Sequence, residues 1–395
     1  MPRAKKTEVA ATKSEQAAGA YPVRFADDVF GEGGDELAQV IREAASGGEP
    51  RVMLVADANV VQRTPGLGTK VGRFMKDRGF SLAGQAVVMG GGEKIKNDSM
   101  TSAQRVIAGA LDARIGARDV VLVIGGGTIF DVAGYAAAQV RGGLPVVRIP
   151  TTVAAMLDGA FAETGALDSV GVKNALAIPS RPAGVVIDTT FAKTVLDGVW
   201  RGGVGEAVRY AAVKDSALFK KIAKNVGALK SRDVDVMAEI VKACVESRMK
   251  KGGTDFSLWS AHRLEAMSAY KLPHGYAVPI AICIDCAYAV ERGLLDEDDQ
   301  ETVCRVLADS GALDGLSHSQ HLLNQPDNIL RGLDAWCLAN GSEAITVPSG
   351  IGKCVEEETP DREVLTKVIK AFHQASTQAT TASRGDSGDA QNEKA

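Results

Sequence analysis

The sequence lacks several features that would assign it to a specialised class of protein. No apolar run approaches the roughly 20 residues that a transmembrane helix needs, and no secretory leader is recognisable in the chain of 395 residues. Only six cysteines are present, and they are scattered along the chain. These absences predict a cytoplasmic protein with reduced thiols that neither spans a membrane nor depends on disulfides.

An excess of positive charge is also missing. The chain has 45 Lys and Arg against 49 Asp and Glu, a net charge of −4. No basic field therefore favours nucleic acid or an anionic membrane as a partner. A composition of 45% hydrophobic and 24% charged residues is typical of globular proteins, and the length favours two domains.

The most informative stretch runs from residue 120 to residue 150, VVLVIGGGTIFDVAGYAAAQVRGGLPVVRIP. An apolar strand ends at three glycines, a segment with helical spacing begins at Thr128, and a second apolar strand ends at Pro150. This order predicts a βαβ unit. Glycines let backbone N–H groups approach a pyrophosphate, and the helix N-terminus attracts its charge. The stretch predicts a dinucleotide site, with Asp131 in the first helical turn; the alternative is a turn that only packs the helix on the sheet.

The alternation of strands and helices changes along the chain. Between residues 21 and 179 the pattern predicts an α/β domain with a Rossmann-like parallel sheet. From 180 to 373 helical periodicity dominates, and a mostly α-helical second domain is expected, with the cleft between the halves as the site. Residues 1–20 and 374–395 are small and polar, and we predict that both tails are disordered.

Polar segments follow several predicted strands. They are DAN at 57–59, GEKIKN at 92–97 and the two threonines at 151–152. Ligands of open parallel sheets bind outside the carboxyl ends of the strands. We therefore expect these segments to meet at the glycine turn, although each could also be explained by turn chemistry alone.

Taken together, these pieces resemble the sugar-phosphate cyclases related to 3-dehydroquinate synthase, which are cousins of glycerol dehydrogenase. The resemblance covers about residues 21–372, and the helical part looks more like the valiolone-synthase and uncharacterised cyclase-like branches than true dehydroquinate synthases. It is carried by DANV (57–60), GEKIKN (92–97), GGGTIFDVAG (125–134), PTTVAAMLD (150–158), VKN (172–174), GVGEAVRYAAVKD (203–215), WSAHRLE (259–265), HGYAV (274–278) and IGK (351–353).

The resemblance implies a multistep reaction on one bound sugar phosphate, catalysed by a homodimeric lyase. In this family, NAD transiently oxidises a ring alcohol, phosphate is eliminated, the ketone is reduced again, and the ring opens and closes to a carbocycle in an aldol step. A divalent metal, usually zinc or cobalt, polarises the hydroxyl and carbonyl oxygens.

The resemblance also implies roles for individual residues. The positions that match the family's cofactor contacts are Asp57, Asn59, Glu93, Lys96, Gly126, Gly127, Asp131, Thr151, Thr152 and Thr194. The positions that match catalytic or substrate-binding residues are Asp158, Lys173, Asn174, Arg209, Arg248, His262 as acid or base, and Lys353.

The metal-binding positions match only in part. The family uses one Glu and two His, and Glu206 and His274 match two of these three ligands. The remaining position holds Leu258, which has no lone pair to offer, whereas catalytic zinc sites use three protein ligands and a water. Because the chain has only five histidines, no replacement His ligand is expected.

The substrate side departs from the family as well. Thr164 stands where the family has a lysine, and Arg209 and Arg248 replace two further lysines. Arginine keeps the charge but presents a planar fork instead of a point charge. The sequence therefore predicts a remodelled anion pocket.

Three functions remain open from the sequence. The first is an active NAD-dependent cyclase with an unusual metal site, and the second is a polyol dehydrogenase of the glycerol dehydrogenase type. The third is an NAD-binding homologue without catalysis. The cofactor positions and His262 favour the first, while Leu258 and Thr164 favour the others. Asp285, within an apolar helical run, has no role in any of them.

Overall fold

The computed structural model describes residues 21–45 and 47–388, so the predicted tail at 1–20 lies outside the described residues. This part of the chain forms two compact units. The sheet unit comprises the described residues up to Ala207 together with Ser231–Met249, and the helical unit comprises Val208–Lys230 and the chain from Lys250 onwards. The domain boundary at 179/180 stays a prediction.

The described strands form one large sheet and two hairpins. They are β1 (Val23–Phe25), β2 (Arg51–Asp57), β3 (Ser81–Leu82), β4 (Val87–Met89), β5 (Val120–Gly125), β6 (Val146–Pro150), β7 (Thr164–Ser169), β8 (Val172–Pro179), β9 (Gly184–Ile187), β10 (Ile345–Gly350) and β11 (Lys353–Glu357). The large sheet has the order β1-β9-β6-β5-β2-β3, with β4 also paired to β2, and all of its pairings are parallel.

The central strands of this parallel sheet are covered on both faces. Every residue of β5 and β6 is buried, as expected of strands with helices on both sides. The predicted α/β architecture is confirmed, and the two apolar strands predicted on either side of the glycine turn are present as β5 and β6. These strands carry the carboxyl-end loops on which the candidate site is built.

Helices make up most of the remaining chain. They are α1 (Gly34–Ala44), α2 (Ala58–Arg63), α3 (Leu67–Asp77), α4 (Thr101–Asp112), α5 (Gly127–Gln139), α6 (Val153–Leu157), α7 (Asp197–Lys214), α8 (Ser216–Lys224), α9 (Val226–Lys230), α10 (Val234–Lys251), α11 (Leu258–Met267), α12 (His274–Glu291), α13 (Glu297–Asp309), α14 (Gln320–Leu323), α15 (Pro326–Asn340) and α16 (Arg362–Gly388). Short 3-10 helices lie at Glu93–Lys96, Gly159–Phe161, Thr189–Thr194 and Leu316–His318. Among the described residues, no helix combines the length and the apolar character needed to span a bilayer.

The structure differs from the predicted elements in three places. Within the region of helical periodicity, residues 202–229 do not form one helix but are divided among α7, α8 and α9. The Asp215 side chain accepts hydrogen bonds from the backbone of Ala217 and Leu218 and so begins a new helix. An antiparallel hairpin, β7–β8, was not predicted. The last helix, α16, continues through Gly388 and so includes much of the segment 374–395 that was assigned to a tail.

Candidate active site

The glycine turn after β5 has the geometry of a phosphate cradle. Gly126 caps α5, and its carbonyl accepts from the backbone N–H groups of Ile129 and Phe130 at 3.1 and 3.3 Å. The helix begins at Gly127, one residue before the predicted start. A Cβ on Gly159 would lie 3.1 Å from the Gly127 Cα, so two backbone segments meet here at a distance that side chains would prevent. As at any helix N-terminus, the first N–H groups of α5 have no acceptor within the helix, and such groups can bind an anion.

Asp57 and Asn59 lie at the carboxyl end of the neighbouring strand β2. The Asp57 carboxylate caps α2 and accepts from the backbone N–H and the side-chain amide of Asn59 at 2.8 and 3.0 Å. Burial raises the pKa of Asp57, and the two bonds from Asn59 lower it in part. Gly91, which the sequence analysis missed, allows this pair to form, because a Cβ there would lie 2.5 Å from an Asp57 oxygen.

Lys96 is the centre of a buried polar network on the same edge. Its side chain is 1% exposed, and its Nζ lies 2.7 Å from Asp131 and 3.6 Å from Asp168, while it also donates to the Asn174 side chain. Burial alone would lower the pKa of Lys96, but the charges of Asp131, Glu93 and Asp168 outweigh that effect and the pKa is raised. The lysine is therefore a fixed cation.

Two details of this network correct the sequence analysis. Asp131 is not in the first turn of α5, because the helix begins at Gly127 and no acidic residue occupies that turn. Its partner is Lys96 instead of the helix N-terminus. Asp168 was not recognised at all, although its carboxylate accepts from the Asn174 backbone and the Asn97 amide, each at 2.8 Å. The turn between β7 and β8 was the sequence signal by which Asp168 could have been found.

Lys173 is held in a nearby ion pair. Its Nζ lies 3.3 Å from Glu93 Oε1, and the two side chains are 8% and 13% exposed. This environment differs from the solvated loop lysine that a residue next to a turn would suggest. Lys173 and Asn174 lie on β8, the second strand of the hairpin, and their contacts with Glu93 and Lys96 place this strand beside the 3-10 helix Glu93–Lys96.

Asp158 and Arg248 form a further ion pair in the sheet unit. Arg248 Nη1 donates to Asp158 Oδ1 at 2.9 Å, and its guanidinium lies over the Phe161 ring at 5.0 Å. The backbone after Asp158 is fixed by Arg148, which donates to the carbonyls of Ala160 and Ala162 at 3.2 and 2.6 Å. Burial lowers the pKa of Arg148 to about 10. The sequence signal for this structural role of Arg148 was its charge within the otherwise apolar strand VVRIP.

The threonines of the site differ in how they are bonded. Thr152 caps α6, since its hydroxyl accepts from the Ala155 backbone at 3.2 Å. Thr194 ends a 3-10 helix and donates to the Phe191 carbonyl at 2.9 Å. The Thr151 hydroxyl is buried and has no hydrogen-bond partner among the residues that the structure describes. An orphaned hydroxyl beside the glycine turn fits a bound dinucleotide.

The remaining predicted residues divide between the two units. Glu206 is buried in the part of α7 that belongs to the sheet unit, whereas His262, His274, Arg209 and Lys353 belong to the helical unit. Arg209 is 1% exposed and donates to the backbone carbonyls of Thr254 and Phe256 at 2.7 and 3.4 Å. Lys353 is exposed at the start of β11.

His262 and His274 meet at a buried carboxylate that the sequence analysis did not include. Glu265 is 0% exposed, and its Oε1 lies 2.8 Å from the His274 Nδ1, within hydrogen-bonding distance. The rings of His262 and His274 are 6.0 Å apart. One possible ligand atom from each of the three residues lies within 4.8 Å of the others. Two imidazoles and a carboxylate are a donor set that suits zinc or cobalt.

Leu258, which stands where the family resemblance places a histidine ligand, is the first residue of α11 and lies one helical turn before His262. It follows Ser257, whose φ of 64° is in the left-handed region. His262 and Glu265 have i,i+3 spacing, which places them on one face of α11. That spacing within WSAHRLE was the signal by which Glu265 could have been found.

Comparison with known proteins finds a family match for each half of the chain. Residues 86–201 match the family model of the 3-dehydroquinate synthase N-terminal domain, and residues 203–322 match that of its C-terminal domain. The 3-dehydroquinate synthase of Thermoanaerobacter sp. (strain X514) is 26% identical over 363 residues, which cover 89% of this chain and 97% of that protein.

Solved structures with the same fold include two sugar-phosphate cyclases. The 2-epi-5-epi-valiolone synthase ValA of Streptomyces hygroscopicus subsp. jinggangensis 5008, with NAD+ and Zn2+ bound, has a TM-score of 0.78 at 23% identity and covers 93% of this chain and all of that one (100%). A 2-deoxy-scyllo-inosose synthase complexed with carbaglucose-6-phosphate, NAD+ and Co2+ has a TM-score of 0.71 at 17% identity, covering 88% of this chain and 96% of that one. A probable glycerol dehydrogenase of Sinorhizobium meliloti 1021 has a lower score of 0.61.

These matches agree with the resemblance seen in the sequence. The two family models together span more than half of the chain, and they adjoin at residues 201 and 203. The chain belongs to the 3-dehydroquinate synthase family.

Proposed function

We propose that this protein is an NAD-dependent cyclase that converts a sugar phosphate to a carbocycle, with transient oxidation, phosphate elimination and aldol closure. The observation that carries the proposal is that the residues matching the family's NAD contacts lie together at the carboxyl edge of the sheet. The chain also matches the family models of both the N-terminal and the C-terminal domain. That edge combines the glycine turn, the Asp57–Asn59 pair and the network around Lys96.

The residues of the sheet unit would bind and orient the reactants. The N-terminus of α5 and its glycines would hold the pyrophosphate of NAD, and the Asp57–Asn59 pair would hold the adenosine ribose. Lys173 and Arg248 are cations that an anionic substrate would meet, although each is engaged by a carboxylate, Glu93 or Asp158. A substrate phosphate would therefore exchange with these carboxylates when it binds.

The bound cofactors supply the chemistry that side chains lack. NAD would supply hydride transfer, and a divalent metal would supply a cation that favours loss of a hydroxyl proton near neutral pH. By family resemblance, His262 would move a proton at the reacting hydroxyl or carbon, and Arg209 and Lys353 would serve the substrate side. The protein would act in the cytoplasm as a homodimer.

A polyol dehydrogenase is the second candidate, and Thr164 is the observation that favours it. This exposed residue at the start of β7 replaces a lysine that the family uses for its phosphorylated substrate. A dehydrogenase does not eliminate phosphate and does not need that lysine. It would release NADH, whereas the cyclase returns its hydride to the substrate.

Phosphate release and the redox state of NAD separate the two functions. We expect the purified protein, given a heptulose phosphate, to release phosphate without net NADH formation, and mass spectrometry to find a carbocyclic product. Lys173→Met should lower kcat/KM by roughly 100-fold, a loss of about 2.7 kcal/mol. Lys193→Met, a change at an exposed lysine of the same unit, is the matched control. NADH accumulation with polyols and no phosphate release would contradict the cyclase assignment.

A further inference from the structure

The cluster of His262, Glu265 and His274 has the composition of a complete metal site. Catalytic zinc sites commonly have three protein ligands, and two His with one Glu is among the known sets. All three residues belong to the helical unit, on α11 and at the start of α12. The cluster therefore supplies three donors without Glu206 and without a histidine at position 258.

The distances within the cluster suit a single ion. Zinc bonds to nitrogen and oxygen of about 2.1 Å place tetrahedral ligand atoms about 3.5 Å from one another. The donors here lie within 4.8 Å, and the pair formed by Glu265 Oε1 and His274 Nδ1 is separated by 2.8 Å. Both imidazoles are only half-buried, so their rings have room to rotate towards a shared ion.

The local structure explains why these three side chains converge. Pro273 precedes α12 with extended backbone, φ −64° and ψ 150°, so that His274 is the first helical residue and projects at the helix end. On α11, His262 and Glu265 share a face through their i,i+3 spacing. The Glu265 side chain is fully buried, and a carboxylate in that environment requires compensating positive charge.

We infer that the metal site of this chain is displaced by one helical turn along α11, with His262, Glu265 and His274 as its protein ligands. Leu258 occupies the position one turn earlier, where the family has a histidine ligand, and His262 takes over as the α11 imidazole donor. The fourth position stays open to water or to a substrate oxygen. His262 then serves as a ligand, which replaces the acid–base role that family resemblance assigns to it in the proposed function.

Metal binding without substrate tests this assignment. Apo-protein would be titrated with Co2+, followed by calorimetry and by the visible absorption of the bound ion. We expect one Co2+ per chain in the wild type and a loss of affinity of more than roughly 100-fold in Glu265→Gln, His262→Ala and His274→Ala, since even outer-shell changes cost about 10- to 100-fold. Glu206→Gln and His321→Ala, a change at an exposed histidine, should bind Co2+ as the wild type does.

A donor-preserving variant guards against loss of folding. In His262→Cys, a thiolate at position 262 should retain Co2+ and add a sulfur-to-cobalt charge-transfer band in the near ultraviolet, which appears only if residue 262 is a ligand. Thermal unfolding of each apo-variant shows whether it is folded. Loss of Co2+ in Glu206→Gln with retention in folded Glu265→Gln and His262→Ala would overturn the assignment, as would Co2+ binding by His262→Cys without the new band.

The catalytic use of this site rests on the proposed function, but the binding measurement does not. If Co2+ binds as expected and no sugar phosphate is consumed, the cyclase assignment fails and the metal site stands. If phosphate is released while the three ligand variants bind Co2+ normally, the metal assignment fails and the cyclase stands.

Discussion

Asp285 is a carboxyl group buried completely within the helical unit, on α12. The Trp259 indole N–H donates to its Oδ1 at 3.2 Å, and its Oδ2 has no hydrogen-bond partner among the described residues. Burial raises the pKa of Asp285 to about 7, and the neighbouring Ser257 and Trp259 side chains offset only part of that rise. A carboxyl group with this pKa is protonated in the native state under mildly acidic conditions.

The proton on Asp285 makes stability depend on pH. In the unfolded chain the group titrates near 3.8, so between that pH and about 7 the native state holds a proton that the unfolded state has released. The free energy of unfolding therefore falls as pH rises through this window. Urea unfolding near pH 5 and pH 7.5 should show that Asp285→Asn reduces the fall by about 2 kcal/mol or more. Equal pH dependence of the two proteins would mean that Asp285 is ionised in the native state.

The loop between β4 and the 3-10 helix Glu93–Lys96 packs against the side chains at the carboxyl end of β2. Its glycines 90, 91 and 92 differ in what surrounds them. A Cβ on Gly91 would meet the side chains of Asp57 and Asn59 at 2.5 and 2.7 Å, whereas a Cβ on Gly90 would meet no atom within 4 Å. The close approach joins this loop to the carboxyl end of β2.

Two neighbouring glycine substitutions test whether this contact shapes the NAD site. Gly91→Ala must displace the Asp57–Asn59 pair, and we expect the Kd for NAD to rise more than about tenfold, or about 1.4 kcal/mol. Gly90→Ala adds the same methyl group in open space, and its Kd should stay within about twofold of the wild type. Calorimetry measures both. Equal affinities would show that NAD does not depend on the Asp57–Asn59 pair.

The elements that the sequence did not reveal depend on contacts between distant segments. The βαβ unit from β5 to β6 was predictable, because buried parallel strands and a glycine turn leave a local pattern. The β7–β8 hairpin was not recognised, although its two-residue turn at Val170 and Gly171, both with positive φ, is typical of a type I′ turn. Without the hairpin, the contact of Asp168 with Lys96 could not be inferred. Glu265 was overlooked because its partner, His274, lies on another helix.

In the whole molecule, the candidate NAD-binding residues and the candidate metal ligands belong to different compact units. The glycine turn, Asp57 and the Lys96 network are in the sheet unit, and the His262–Glu265–His274 cluster is in the helical unit. Family matches cover both units, so a complete reaction would need both sets of residues. This division predicts that binding of NAD and binding of metal are separable.

Removal of metal measures that separation directly. Under the proposed function, treatment with a chelator should abolish phosphate release, because a hydroxyl proton then has no cation to favour its departure. The Kd for NAD should change less than about threefold, since the residues that would hold its pyrophosphate and adenosine ribose are in the sheet unit. Calorimetry before and after chelation gives the affinity, and restoring Co2+ should restore turnover. A large loss of NAD affinity on chelation would mean that the metal itself contributes to holding the dinucleotide.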